Sequence, residues 1–209
     1  HASDPAQFLH EARVLSRVNH RAIVRYVAHG ATEDGLLYLA MEWLEGEDLA
    51  ARLRRGALPT SDTIALGVRR ADALAEAHSR GIVHRDVKPA NVLLPRGRVE
   101  DARLIDFGIA RARGWSHGHT APGRAVGTIG YMAPEQARGE RDVGPAADVF
   151  AFGCVLFECL TAKPLFTGAD WVAVLAKVLV HQATRLSDVL PGAPRALDGL
   201  IARMLSKEA

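Results

Sequence analysis

The sequence predicts an α+β fold, with a few short strands near its start and helices through most of the rest. Apolar residues recur at helical spacing early in the chain, in 8–18, and again in 61–79. Two aliphatic runs, 23–27 and 36–41, have the composition of strands. Hydrophobic residues make up 48% of the 209, enough for a packed core, so we expect one large domain or a piece of one.

Composition and charge argue against several classes of function for this protein. A net charge of +2 argues against bulk affinity for nucleic acid. The longest apolar run, 149–160, is shorter than the ~20 residues that span a bilayer, so we expect a buried helix and no membrane contact from this segment. Cys154 and Cys159 lie in that run, where they suit neither a disulfide framework nor a zinc site. A reducing, cytoplasmic location is predicted.

The first elements are a helix and a strand pair. Asp4 and Pro5 have the pattern of an N-cap and first helical position. Glu11 lies within this helix, where a solvent-exposed glutamate is the more common interpretation. The two strands that follow are joined by a turn at 33–35. The apolar positions of the helix are Phe8, Leu9, Ala12, Leu15 and Val18.

The next helix is predicted over 61–79, with Gly81 closing it. We expect His78 to pack or cap rather than bind a ligand. The predicted buried face consists of Ile64, Val68, Ala71, Leu74 and His78.

The stretch 82–94, I-V-H-R-D-V-K-P-A-N-V-L-L, organises the chain. Its apolar arms, 82–83 and 92–94, have the character of short buried strands. Pro89 prevents a continuous helix between them. A polar loop pinned between buried strands is where a rigid scaffold places reacting groups. Its polar residues are His84, Arg85, Asp86, Lys88 and Asn91.

Further motifs follow in order. A short strand at 103–105 leads into D-F-G at 106–108, and 110–126 has the composition of a long loop. The segment 127–135 reads G-T-I-G-Y-M-A-P-E. We expect Asp148 to open the apolar helix 149–160. Two more helices are predicted at 171–181 and 197–205.

Together, H-R-D-x-x-x-x-N, D-F-G, G-T-x-x-Y-[ML] and A-P-E resemble the eukaryotic-type (Hanks-type) protein kinases, most closely the bacterial serine/threonine kinases. The resemblance implies a two-lobe kinase-like fold with a truncated N-lobe and a mainly helical C-lobe. The N-lobe would keep its αC helix and two strands. Residues 1–44 would be the residual N-lobe and hinge, and 45–209 a C-lobe cut at its end. Since the chain starts at His1, we expect a fragment that lacks the Gly-rich loop and the phosphate-binding Lys.

The resemblance assigns the chemistry to four residues. Asp86 would accept the proton of the substrate hydroxyl, and Lys88 would neutralise charge on the γ-phosphate. Asn91 and Asp106 would hold Mg²⁺. In the family, Lys88 and Thr128 mark serine/threonine rather than tyrosine kinases.

The resemblance also assigns the nucleotide contacts. Met41 would be the gatekeeper residue beside the adenine, and Glu42 and Leu44 would belong to the hinge that binds the adenine edge. Asp48 would contact the ribose, although an N-cap is the plainer interpretation of this residue. Leu93 would pack beneath the adenine ring.

Regulatory roles follow by the same resemblance. Glu11 would pair with the missing Lys, and Arg85 would bind a phosphate on the loop, with Thr120 the candidate phosphosite and Ser116 the alternative. Glu135 would pair with an Arg beyond the last helix. Asp148 would cap onto the backbone of the H-R-D loop and hold it in shape. A spine of the active state would consist of Leu15, Tyr26, His84 and Phe107.

The implied function is transfer of the ATP γ-phosphoryl group to Ser/Thr hydroxyls of proteins, in bacterial signalling. ATP, Mg²⁺ and a protein substrate are the expected partners, and the resemblance allows a homodimer that autophosphorylates in trans. We expect the fragment alone to be inactive, with an exposed strand edge. A catalytically inactive pseudokinase scaffold is the first alternative. A small-molecule phosphotransferase ranks lower, because that class lacks the A-P-E segment.

Overall fold

The computed structural model describes residues 5–107, 129–140 and 142–207. It confirms the α+β class, with strands only in the first half of the described chain. Short 3₁₀ turns lie at Pro89–Asn91 and Val99–Asp101. The elements are α1 (Pro5–Leu15), β1 (Tyr26–Ala31), β2 (Leu37–Met41), β3 (Gly46–Asp48), α2 (Leu49–Leu53), α3 (Thr60–Ser79), β4 (Val92–Pro95), β5 (Arg103–Leu104), α4 (Pro134–Ala137), α5 (Pro145–Thr161), α6 (Trp171–Val180), α7 (Leu186–Val189) and α8 (Arg195–Met204).

Strands β1 and β2 form an antiparallel pair, closed by a turn in which Gly35 has a φ of 81°. The predicted strand 23–27 is wrong in its start, because β1 begins at Tyr26. Ile23 is instead buried and makes an isolated parallel bridge to Leu104. Segment 22–24 therefore joins the edge of the other sheet, because burying Ile23 against β5 outweighs extending β1.

The second sheet has the order β3-β4-β5, all antiparallel. Asp48 pairs with Leu93, and Leu93 pairs with Arg103 on its other side. This sheet confirms a strand at 92–94, whereas residues 82–83 are half-buried and outside any strand. Their sequence is strand-like, but in the described part of the chain no partner strand lies beside them.

Helix α3 buries a face that shares Leu74, but not Ile64, Val68 or Ala71, with the one predicted. Ile64 and Val68 are 47% and 68% exposed, and Ala71 is exposed too. The prediction followed the large β-branched residues, but α3 approaches α5 closely at Gly67, where an added Cβ would lie 3.6 Å from Leu156. The buried residues are Thr63, Leu66, Arg70, Ala73, Leu74 and Ala77.

Arg70 is the unusual member of that face. It is 1% exposed, and all three of its guanidinium nitrogens lack a hydrogen-bond partner among the described residues. Burial lowers the pKa of Arg70 to about 9, with a smaller contribution from the neighbouring charge of Arg69. A buried guanidinium without hydrogen bonds is strongly unfavourable, so this position opposes folding.

Helix α5 is buried along nearly all its length. It begins at Pro145 after Gly144, so Asp148 lies in its first turn and does not cap it, contrary to the prediction. A Pro at the first helical position is well suited to start a helix. Cys154 and Cys159 are buried and unpaired. A Cβ on Gly153 would lie 3.0 Å from Met204, so α8 packs closely on α5.

The last helices lie close to the predicted ranges. Helix α6 begins after Asp170, whose carboxylate accepts a hydrogen bond from the amide of Ala173 at 2.8 Å, and α8 extends two residues further towards the N-terminus than expected. Within the ranges described, none of the helices combines the length and apolar character needed to cross a bilayer.

Candidate active site

The loop at 82–91 is delivered by the end of α3. Gly81 has a φ of 74°, and its amide donates to the carbonyl of His78 at 2.9 Å. The amide of Ile82 donates to the carbonyl of Ala77 at 3.0 Å. This pair of bonds is a Schellman motif, which turns the chain sharply off the helix. The predicted role of Gly81 in ending the helix is confirmed.

His84 anchors the loop in the core. Its side chain is fully buried, and its ring lies 4.6 Å, between centroids, from the ring of Phe107. Nδ1 accepts a hydrogen bond from the Asp86 amide at 3.3 Å, so Nε2 carries the proton and donates to the carbonyl of Ile105 at 3.2 Å. Burial lowers the pKa of His84. The imidazole is therefore neutral and structural.

Asp148 fixes the loop backbone from α5. Its carboxylate, 0% exposed, accepts hydrogen bonds from the amides of His84 and Arg85, each at 2.8 Å, and lies 2.7 Å from Nε2 of His78. Arg85 has a φ of 62°, an unfavourable value for a residue with a side chain. The carboxylate stabilises that conformation. His78 packs against Asp148, in agreement with its predicted role.

Asp86, Lys88 and Asn91 form one cluster of side chains. Oδ2 of Asp86 accepts hydrogen bonds from Lys88 Nζ at 2.7 Å and from Asn91 Nδ2 at 3.0 Å. Nδ2 of Asn91 also donates to the backbone carbonyl of Asp86 at 2.8 Å. Asp86 and Asn91 are buried and Lys88 is half-buried. The cluster holds a carboxylate in a fixed orientation beside an ammonium group.

Asp106 follows β5 and connects to this cluster through the backbone. The amide of Ile105 donates to the carbonyl of Asn91 at 3.0 Å, which brings the two segments together. Asp106 is exposed and has a φ of 59°. Its carboxylate and the side-chain oxygen of Asn91 are hard oxygen donors, a set that fits Mg²⁺ completed by water and phosphate oxygens. Among the described residues, no group of three His, Cys, Asp or Glu forms a fuller metal site.

The predicted nucleotide-contact residues lie along two sheets. Met41 ends β2, and Leu44 lies half-buried between β2 and β3. Asp48 and Leu93 are cross-strand neighbours. Asp48 caps α2, since its carboxylate accepts from the amide of Ala51 at 2.7 Å, so the plainer interpretation of this residue holds in this structure.

Glu42 is held in place by hydrogen bonds from two arginines, Arg103 and Arg25. Oε1 accepts a hydrogen bond from Arg103 Nη1 at 2.6 Å and from the amide of Arg25 at 2.8 Å. The amide of Glu42 in turn donates to the carbonyl of Arg25 at 2.9 Å. These contacts fix the predicted hinge to β5 and to the segment before β1, an arrangement that the sequence did not indicate.

Glu11 and Arg85 line one cavity of about 290 Å³, together with Phe107. Nε of Arg85 is buried and has no hydrogen-bond partner among the residues described. His10 and Arg80 line the same cavity, which therefore gathers three basic side chains around one carboxylate. Leu15 and Phe107 belong to the same buried cluster, whereas Tyr26 is half-buried and its hydroxyl lies 2.6 Å from Nδ1 of His29.

The segment 129–136 contains two contacts that sequence reasoning missed. Tyr131 donates a short hydrogen bond to the carboxylate of Glu158 on α5. Burial raises the pKa of Glu158, and Tyr131 acts in the opposite direction. A charged residue inside an apolar run was the signal that could have found it. Gln136 donates from Nε2 to the carbonyl of Arg85 at 3.0 Å.

For three predicted regulatory residues, Thr120, Thr128 and Glu135, the structure describes no contact that bears on the predicted role. Thr120, its alternative Ser116, and Thr128 lie outside the described residues. Glu135 is half-buried, and within the described ranges no basic side chain forms an ion pair with it.

Comparisons with known proteins bear on the whole chain. A family model described as "Protein kinase domain" matches residues 1–208. Serine/threonine-protein kinase PknE of Mycobacterium tuberculosis is 40% identical over 210 residues, which cover 99% of this chain and 36% of the relative. Serine/threonine-protein kinase PknJ of the same organism is 38% identical over 207 residues, covering 97% and 35%.

A relative from another genus gives the same result. Probable serine/threonine-protein kinase PknB of Bifidobacterium longum is 36% identical over 215 residues, covering 97% of this chain and 30% of the relative. The chain thus spans about a third of the length of the curated relatives it matches.

Proposed function

Because the chain belongs to the protein kinase domain family, we propose that the protein transfers the γ-phosphoryl group of ATP to Ser and Thr hydroxyls of proteins. Family membership confirms the predicted fold class, a two-lobe kinase fold with a mainly helical larger lobe. We further propose that residues 1–44 belong to the smaller lobe and hinge, and 45–209 to the larger lobe.

One observation carries the proposal. Asp86, Lys88 and Asn91 meet within hydrogen-bond distance on a loop whose backbone is fixed by Asp148. Phosphoryl transfer requires positioning and charge stabilisation more than covalent chemistry. A buried, oriented carboxylate beside an ammonium group supplies both.

Each residue then has a role. Asp86 orients the substrate hydroxyl and accepts its proton. Lys88, 2.7 Å from Asp86, holds positive charge where the γ-phosphate would lie and stabilises the charge that develops there. Asn91 and Asp106 would hold Mg²⁺, which when bound neutralises phosphate charge. The hinge would orient the adenine, with Met41 and Leu44 beside it, Leu93 beneath the ring and Asp48 near the ribose.

Regulation would involve the cavity shared by Glu11 and Arg85. We propose that Arg85 binds a phosphate on Thr120, supported by the buried Nε without a described partner and by His10 and Arg80 in the same cavity. Thr128 would accompany Lys88 in selecting Ser/Thr acceptors. Mass spectrometry of the active full-length protein with an unmodified 108–128 segment would refute the phosphosite.

The proposed activity is tested in the full-length protein. We expect ³²P transfer from ATP-Mg²⁺ to the protein itself and to a generic basic protein. Asp86→Asn should lower the rate by at least ~10²-fold, since general base and orienting roles contribute about that much. Asp34→Asn, in the exposed β1–β2 turn, is the matched control and should leave the rate unchanged. Labelling that survives in Asp86→Asn, or is absent from the wild type, would refute the proposal.

A further inference from the structure

Gln136 bridges the segment 129–134 and the catalytic loop, residues 82–91, through the oxygen and the nitrogen of its side-chain amide. Oε1 accepts a hydrogen bond from the amide of Ala133 at 3.1 Å. Nε2 donates to the carbonyl of Arg85 at 3.0 Å. The two bonded backbone groups are 48 positions apart in sequence, so the bridge joins elements that the chain connects only through a long intervening segment.

The bond to Arg85 falls on the peptide group that precedes Asp86. The amide of that same peptide, the Asp86 N–H, donates to Nδ1 of His84 at 3.3 Å. Both polar atoms of the Arg85–Asp86 peptide are therefore bonded, the oxygen by Gln136 and the nitrogen by His84. A peptide group is planar, so two bonds on opposite edges fix the direction in which the Asp86 backbone leaves it.

This support is needed because Arg85 has a left-handed backbone, with a φ of 62°. Such a conformation costs of the order of a kcal/mol and persists only where the surroundings hold it. Asp148 bonds the amides of His84 and Arg85, and Gln136 bonds the carbonyl that follows. The three consecutive peptide groups that lead to Asp86 are thus each held by a side chain.

The other end of the bridge lies on the G-T-x-x-Y and A-P-E stretch, which would seat the acceptor peptide under the proposed function. Tyr131 is bonded to Glu158 of α5, and Ala133 is bonded to Gln136. The segment is therefore bonded directly to the core helix α5, and through Gln136 to the catalytic loop. A peptide that displaces residues 131–133 would move the Gln136 amide and, with it, the peptide group before Asp86.

We propose that Gln136 is a positioning residue that couples the acceptor-peptide segment to the orientation of Asp86. The inference rests on the proposed kinase function. Gln136 touches neither substrate nor nucleotide in this assignment. It acts through the Arg85 carbonyl, so its loss should lower kcat for peptide phosphorylation while leaving the KM for ATP unchanged.

Two variants of the full-length protein separate this role from general stability. Gln136→Leu removes both bonds at similar size. Gln136→Glu keeps the acceptor, but an ionised carboxylate cannot donate to the Arg85 carbonyl, whereas the protonated form can. Gln182→Leu, an exposed glutamine between α6 and α7, is the control. The readouts are kcat and KM for a Ser peptide and for ATP, from pH 5.5 to 8, and amide hydrogen exchange at 84–86.

We expect Gln136→Leu to lower kcat about tenfold, the factor that corresponds to ~1.36 kcal/mol of activation free energy. In Gln136→Glu the added carboxyl is ionised throughout this pH range, since the ordinary glutamate pKa is ~4.3, so kcat should fall at least as far as in Gln136→Leu because a carboxylate cannot donate to the Arg85 carbonyl. Amide exchange at 84–86 should be faster in Gln136→Leu and unchanged in Gln182→Leu.

Wild-type kcat in both variants, or a raised KM for ATP in place of a lowered kcat, would overturn the inference. A wild-type protein that transfers no phosphate refutes the proposed function instead. In that case amide hydrogen exchange alone tests the inference. Faster exchange at 84–86 in Gln136→Leu still supports the coupling through Gln136, and unchanged exchange overturns it.

Discussion

Replacing Arg70 by methionine should stabilise the protein. Arg70 is 1% exposed, and none of its guanidinium nitrogens has a hydrogen-bond partner in the described part of the chain. Burial lowers its pKa from the ordinary arginine value to about 9. At ~1.36 kcal/mol per pH unit, that difference sets an upper limit of ~5 kcal/mol for the charge penalty. Methionine has a similar unbranched stem and fills irregular space without a charge.

The measured gain should be smaller than that limit. Replacing buried charges by well-packed apolar residues stabilises by ~1–4 kcal/mol in the systems where it helps. In urea denaturation, with a slope of ~1–3 kcal/mol/M, the midpoint should rise by about 1 M. Arg69→Met is the matched control with the opposite sign. Arg69 donates to the carbonyls of Ala102 and Arg21, each at 3.1 Å, so its loss should destabilise by ~1 kcal/mol.

The gain should also depend on pH. Below pH 9 the folded and unfolded states both carry the Arg70 proton, and the full penalty applies. Above pH 9 the folded state releases the proton while the unfolded state keeps it up to the much higher ordinary pKa of arginine, so the wild type recovers ~1.4 kcal/mol per pH unit. The advantage of Arg70→Met should therefore shrink between pH 9 and 10. A variant destabilised by ~1 kcal/mol or more at pH 7 would refute the reasoning, because Arg70 would then have a favourable partner.

Three further predictions concern side chains of α5 and a tyrosine bonded to it. Asp148→Asn should destabilise by ~3–5 kcal/mol, because a buried carboxylate that bonds two amides is lost, and should lower phosphoryl transfer at least tenfold. Asp170→Asn, at an exposed N-cap, should leave the urea midpoint nearly unchanged, because Asn caps a helix about as well as Asp, and equal losses in the two variants would contradict this. Glu158→Gln should gain stability relative to wild type as pH rises above the ordinary glutamate range, because burial raises the pKa of Glu158 and the wild type loses stability on ionising; a difference independent of pH would contradict this. Tyr131→Phe should destabilise by ~1–3 kcal/mol in the same assay, since the buried carboxylate loses a donor, and an unchanged urea midpoint would argue against that bond.

The sequence predicted the chemistry of the loop better than its surroundings. Asp86, Lys88 and Asn91 were identified by spacing, and they meet within 3.0 Å. Such motifs are local, so the short chain between the residues largely determines whether they meet. The same holds for the Gly81 helix end.

The predictions that failed depended on distant partners. The buried face of α3 was assigned from Ile64 and Val68, yet the neighbouring α5 selects the side with small residues. The start of β1 was misplaced because Ile23 finds Leu104, 81 positions away. Gln136 and Glu42 carried no local pattern, because a side chain that bonds a remote backbone group has no periodic signature. Pairings of this kind are invisible to spacing rules.

Helix α5 sets the distance between two parts of the molecule that it bonds. Asp148 near its start holds the loop at 84–85, and Glu158 near its end holds Tyr131. Ten residues of α-helix separate them by about 15 Å along the axis. One residue inserted between them would lengthen that separation by ~1.5 Å and rotate Glu158 by ~100° about the helix axis relative to Asp148. Point substitutions in α5 can be absorbed locally, but a change in its length would put the two segments out of register with each other.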